Sequence, residues 1–253
     1  MNELKIETNK KLTAASVPDC FDEMDRYQFI DTAKQILGII SNDSYYLSMI
    51  DLDKDTWNEL EDFHRYSIRQ LFDFINTPSP EISRQLLPYI EIDGQQFIGY
   101  QPNFSNTTWE EFIFADQYIM NGKYKEAAAV LYRPQRENYN GETDRRSPFT
   151  IYGTDSRMQY FEKIDEPQLL AFAINYRALR KRNLEDKYAL IFSSQKQTAS
   201  STATADTFSW ISIHRNLMGD QFYDETKFFN TNVQVILNRL NTVIKENQHH
   251  KKS

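Results

Sequence analysis

The chain has 253 residues, 40% of them hydrophobic, 26% charged and 14% aromatic, which is enough apolar surface for one large core or two smaller ones and excludes wholesale disorder. A formal net charge of −7 speaks against a nucleic-acid binder, whose footprint is basic, and a single cysteine, Cys20, excludes an intramolecular disulfide and a cysteine-based metal cage. No apolar run reaches membrane-spanning length, the opening MNELKIETNKK lacks the apolar centre of a secretory signal, and a glycine-poor chain without GxGxxG or GxxxxGKS/T offers no phosphate cradle.

In chain order, alternation of apolar and polar residues over 4–8 predicts one short strand or extended arm. Val17-Pro18-Asp19 opens a helix expected to run to about Ile40 with Phe21, Met24, Phe29, Ala33, Ile36 and Leu37 inward, and Ser41-Asn42-Asp43 breaks it. A second long helix is expected over 56–75, capped by Asp53 or Asp55, with Trp57, Leu60, Phe63, Ile68, Leu71 and Phe72 near helical spacing. Over 86–104, Asp93-Gly94 between YIEI and QQFI predicts a tight β-hairpin, which must rest on helices, the N-terminal strand or a partner chain, because two strands alone are marginal.

The strongest helical signals lie over 106–134. Thr107 or Thr108 caps a helix with Glu110 or Glu111 at its third position; Trp109, Phe112, Ile113, Ile119 and Met120 follow at helical spacing, interrupted by Asp116. Asn121-Gly122 stops it, and a second helix from Lys123 to about Leu131 must fold back as a helical hairpin ended by Tyr132-Arg133-Pro134. The polar stretch 135–147 reads as an exposed loop, with helices resuming near 156–163 and from Pro167 to about Phe192. SSQKQTASSTATAD, 193–206, is a linker by composition. Beyond it, 207–253 is a tethered pair of helices, the last capped by Thr231, with a polar tail. The expected architecture is mainly α: a main helical domain over 1–192 with one small β-hairpin, the linker, and the C-terminal helical module.

Candidate chemistry is sparse. Asp51-Leu52-Asp53-Lys54-Asp55 has the carboxylate spacing of a calcium loop, but Thr56 stands where the turn glycine belongs and Asp62 where the bidentate glutamate belongs. His64 and His214 have no second histidine at ligand spacing, and Cys20 has no histidine nearby in sequence. The carboxylates around Glu59, Glu61 and Asp62 and around Glu110, Glu111 and Asp116 match capping and solvation. Arg177, Arg180, Lys181 and Arg182 complement a helix C-terminus. No catalytic residue, metal set or cofactor is assigned. Aromatic pairs at element edges, Tyr45-Tyr46, Phe222-Tyr223 and Phe228-Phe229, have the character of interface anchors.

The segments VPDCFDEMDRYQF, SNTTWEEFIFADQYI, AAAVLYRP and FSWISIHRNLMGDQF, in that order, resemble a family of structural or assembly proteins of Bacteroidetes tailed phages and prophages, with Phe21 standing where tryptophan is expected. The resemblance implies a non-enzymatic protein that works by contact with other phage structural proteins within an oligomeric assembly, in the host cytoplasm during assembly and then in the virion, while the short apolar runs and the net charge speak against a membrane or nucleic-acid partner. The alternatives are a tail-assembly chaperone absent from the mature virion, or an enzyme of unrecognised type. The expected contact set is Tyr132, Arg133, Trp109, Trp210, Phe222 and Tyr223, with Arg133 as a planar fork for a partner carboxylate and Tyr132 as its neighbouring anchor.

Overall fold

The computed structural model describes residues 2–7, 12–50, 52–141, 144–192, 210, 213–214 and 224–250. The fold is mainly α, as expected. It divides into two compact units, one of Met1–Leu87 with Asp165–Ala178 and one of Pro88–Ile164 with Leu179–Ser253. The expected linker at 193–206 lies outside the described residues; the described residues beyond it belong to the second unit.

The first unit opens with β1 (Asn2–Glu7) paired antiparallel to β2 (Leu12–Val17), from Asn2 opposite Val17 to Glu7 opposite Leu12. The single N-terminal strand expected from sequence is therefore half of a hairpin. The helix expected from Val17 starts later, because Val17 ends β2 and Cys20 leads only a 3-10 turn over Phe21–Glu23 without a side-chain cap. Helix α1 (Arg26–Ile36) begins where Asp25 and Gln28 form a reciprocal capping box. It ends before Gly38, whose φ of 69° is the left-handed stop, and Ile36, expected inward, is exposed.

Helix α2 (Asn42–Ile50) was not anticipated. It buries Tyr45, Met49 and Ile50, and Gln28 Nε2 donates to Met49 O at 2.9 Å to tie α1 to it. The long helix expected over 56–75 is broken into α3 (Lys54–Glu59), α4 (Asp62–Gln70) and a 3-10 turn over Asp73–Asn76. The break falls at Leu60, which caps α3 in extended geometry and stays buried with Trp57, while Phe63 on α4 turns to solvent.

The second unit is built on α5 (Trp109–Met120) and α6 (Tyr124–Leu131), the expected helical hairpin. Thr108 and Glu111 form its capping box, and Gly122 with φ 71° makes the turn, as Lys123 N–H reaches back to Tyr118 O at 2.8 Å. The β-hairpin is β3 (Tyr89–Ile92) and β4 (Gln95–Ile98), joined by Asp93 at φ 51° and Gly94 at φ 76°, the signature of a type I′ turn. Its third partner is β5 (Arg133–Pro134), with Ile98 opposite Arg133, so the LYRP segment completes the sheet. Gly99 permits the crossing: a Cβ there would stand 2.8 Å from Tyr132 Cε1.

Helix α7 (Ile151–Phe161) starts at the Thr150 cap, earlier than expected, and packs against α6, where Arg157 reaches Ala129 O. Helix α8 (Glu166–Arg180) runs into a π-helical turn, Lys181–Glu185. After α9 (Glu225–Phe229), helix α10 (Val233–His250) is anchored at its start. Trp109 N–H donates to Thr231 O at 2.8 Å and Val233 N–H to Thr107 O at 3.0 Å, a two-residue antiparallel bridge between the starts of α10 and α5. Asn232, not Thr231, takes the Gln234 N–H, and its amide donates to the carbonyls of Phe104, Ser105 and Thr107.

Candidate functional site

The densest charged chemistry among the described residues is an ionic cluster in the interior of the second unit. Glu111, fully buried on the first turn of α5, uses Oε2 to accept the Thr108 N–H at 2.9 Å and turns Oε1 toward Arg133 Nη2 at 3.0 Å and Arg146 Nη2 at 3.2 Å. Asp144 accepts from Arg133 at 2.9 Å, from Arg146 Nε and from the amide of Asn106 at 3.2 Å. Arg146 also donates to Leu131 O at 2.7 Å and to Asn106 O. Arg157 of α7 donates to Ala129 O at 2.9 Å and to Thr154 Oγ1.

These bonds satisfy carbonyls at the end of α6 that have no intrahelical partner. Glu111 and Asp144 each pair with both Arg133 and Arg146, so these buried charges offset one another, while Arg133 Nε is left without a hydrogen bond. Burial pushes both Arg133 and Arg157 down to about 10, opposed by the Glu111 charge. Burial alone would raise Asp144; hydrogen bonds from Arg146 and the charges of Arg146 and Arg133 outweigh it and hold the carboxyl below its ordinary value.

A second buried group surrounds Asp116, the polar break in the apolar stripe of α5. Its carboxylate accepts from Trp210 Nε1 at 2.7 Å and pairs with Arg180, which also pairs with Glu185. The π-helical turn supplies the five-residue spacing between Arg180 and Glu185. The Trp210 ring lies 5.5 Å from Trp109, 5.0 Å from Phe112 and 5.5 Å from Phe192, a cage of edge-to-face contacts.

This geometry corrects the expected contact set. Tyr132, Arg133, Trp109 and Trp210 are all buried, so none presents a face to a partner. Arg133 pairs through Nη2 with both Glu111 and Asp144 inside the unit, and Tyr132 packs edge-on against Tyr100 at 6.4 Å. Phe222 and Tyr223 lie outside the described residues. Tyr45, expected at an edge, is core: burial pushes its hydroxyl up to about 12, against the opposing effect of its hydrogen bond with Thr32. Phe228 and Phe229 are half-buried and enclose His214, whose ring stacks on Phe229 at 4.2 Å with Nε2 3.4 Å from Glu225. His64 is exposed on α4.

The stretch 135–147 is not simply an exposed loop, because it delivers Asp144 and Arg146 to the interior. Arg146 was missed because a lone arginine pair in a polar segment has the same sequence signal as a solvated one. Asp51, the first residue of the calcium-like run, lies outside the described residues, and Asp53 serves as the cap of α3. Asp19, Cys20 and Glu23 offer ligand atoms all within 4.8 Å of one another, but Glu23 already accepts the Asp19 N–H, an arrangement a turn makes without an ion.

Large apolar side chains do reach solvent elsewhere. Phe63 is 71% and Tyr66 57% exposed, one turn apart on α4, beside the ion pairs Arg65–Asp62 and Arg69–Asp43. No helix among the described residues is long and apolar enough to cross a membrane. Compared with known proteins, the chain matches no family model, no curated protein and no solved structure.

Proposed function

We propose that this is a non-catalytic structural or virion-assembly protein of a tailed phage, acting through contacts with other phage structural proteins. The phage parentage rests on the ordered motifs from VPDCFDEMDRYQF to FSWISIHRNLMGDQF. The contact reading rests on one observation: α4 holds Phe63 and Tyr66 in solvent, where each exposes apolar area that a partner can cover. The anchor therefore moves from the buried LYRP segment to α4, while the buried clusters hold the second unit rigid.

The Phe63→Ser, Tyr66→Ser double variant tests this. Both side chains are already solvated, so its thermal unfolding should match the wild-type chain while its incorporation into particles during infection falls. Undiminished incorporation of a folded double variant would remove α4 as the anchor.

A further inference from the structure

The chain contains two Asn-Gly dipeptides, Asn121-Gly122 and Asn140-Gly141, both exposed, and the structure sets them in opposite chemical situations. In this dipeptide the glycine nitrogen can attack the preceding side-chain carbonyl, because no side chain on glycine blocks its approach. At Asn121 both reacting groups are held. The side-chain amide donates to Gln117 O at 2.9 Å, the Gly122 N–H donates to Ile119 O at 3.2 Å, and Lys123 N–H closes the turn on Tyr118 O. Ring closure there requires the end of α5 to open.

At Asn140 neither the side-chain amide nor the Gly141 N–H has a hydrogen-bond partner among the described residues, and Gly141 sits at φ 98° in open space. The loop is closed below it by Arg136 N–H to Arg145 O and Ser147 N–H to Pro134 O, both 2.8 Å, and by the Gln135–Arg146 bridge. These bonds separate the tip from Arg146.

We propose that Asn140 is a site of spontaneous deamidation in the folded protein and that Asn121 is protected from it. The Gly141 nitrogen bonds to Asn140 Cγ, the bond from Cγ to the side-chain nitrogen breaks, and the displaced nitrogen leaves as ammonia carrying the former Gly141 proton. Water then opens the five-membered imide at one of its two carbonyls, giving aspartate or isoaspartate. The net change is amide plus water to acid plus ammonia, and it adds one negative charge to the loop.

The test is peptide mapping by mass spectrometry of the full-length chain after incubation at mildly alkaline pH, folded and in concentrated urea. In the folded chain Asn140 should convert roughly thirtyfold faster than Asn121, the factor expected when two net hydrogen bonds must break before the ring closes. In urea the two rates should approach one another, since the sequence at each site is Asn-Gly. Similar rates in the folded chain, or faster conversion at Asn121, would overturn the proposal. An unequal ratio that persists unchanged in urea would overturn it too, because the cause would then lie in sequence and not in structure. Asn140→Gln supplies an independent readout: it should remove the acidic species that accumulates on isoelectric focusing, and its persistence would also refute the assignment.

Discussion

Replacing Glu111 by alanine should be the most costly single change in the second unit. Glu111 is fully buried, pairs with two arginines at 3.0 and 3.2 Å, and closes the capping box on the Thr108 N–H at 2.9 Å. Its loss leaves Arg133 and Arg146 with Asp144 as their shared carboxylate and takes from Arg157 the charge that opposes its burial. Removing one partner of a buried ion pair costs about 3–5 kcal/mol, and loss of a cap bond adds to that. Against a typical domain stability of about 5–15 kcal/mol, a loss of about 4 kcal/mol would shift unfolding far into low denaturant. The assay is urea unfolding followed by tryptophan emission in a Trp57→Phe background, so that the signal comes from Trp109 and Trp210 of the second unit. Glu111→Gln, which keeps an acceptor for Thr108, should lose less. A loss below about 1 kcal/mol for Glu111→Ala, the range of solvated ion pairs, would refute the claim that this cluster holds the unit together.

Two further perturbations probe the same frame. Asn232→Ala removes the amide that donates to the carbonyls of Phe104, Ser105 and Thr107 and should cost about 1–2 kcal/mol. Hydrogen exchange at Trp109 and Val233, whose amides bridge α5 and α10, should accelerate; unchanged protection there would show that Asn232 does not hold the bridge. Asp144 sets an acid limit: its carboxyl is held below the ordinary value, so the stability it contributes is present above the unfolded pKa of about 3.9 and is lost as pH falls through the lower folded value. Stability-against-pH curves of the wild-type chain and Asp144→Asn should therefore differ at neutral pH and converge in acid. Parallel curves would contradict the sign of that shift.

The helices with local start and stop chemistry were legible in the sequence. Thr108 and Glu111 marked the start of α5, Asn121-Gly122 its end, and Asp93-Gly94 the β-hairpin, because each signal acts within a few residues. What was not legible depends on distant partners. The pairing of Arg133 with Ile98 turned an expected contact motif into a strand, and Arg146 is interior only because Glu111, 35 positions earlier in the sequence, meets it. Asp116 was visible as a polar break in an apolar stripe, but nothing local indicated that Trp210 and Arg180 would satisfy it. The break between α3 and α4 was not legible either, since Trp57, Leu60 and Phe63 fall within one helical arc and nothing local marks Leu60 as the residue that leaves the helix.

The most direct test of the proposed function is quantitative mass spectrometry of purified phage particles from the host in which this chain is expressed. A structural protein predicts a constant copy number per particle near a small symmetric multiple, reduced by the Phe63→Ser, Tyr66→Ser variant. Expression during infection with absence from mature particles would contradict the virion role and leave a tail-assembly chaperone as the phage reading to pursue.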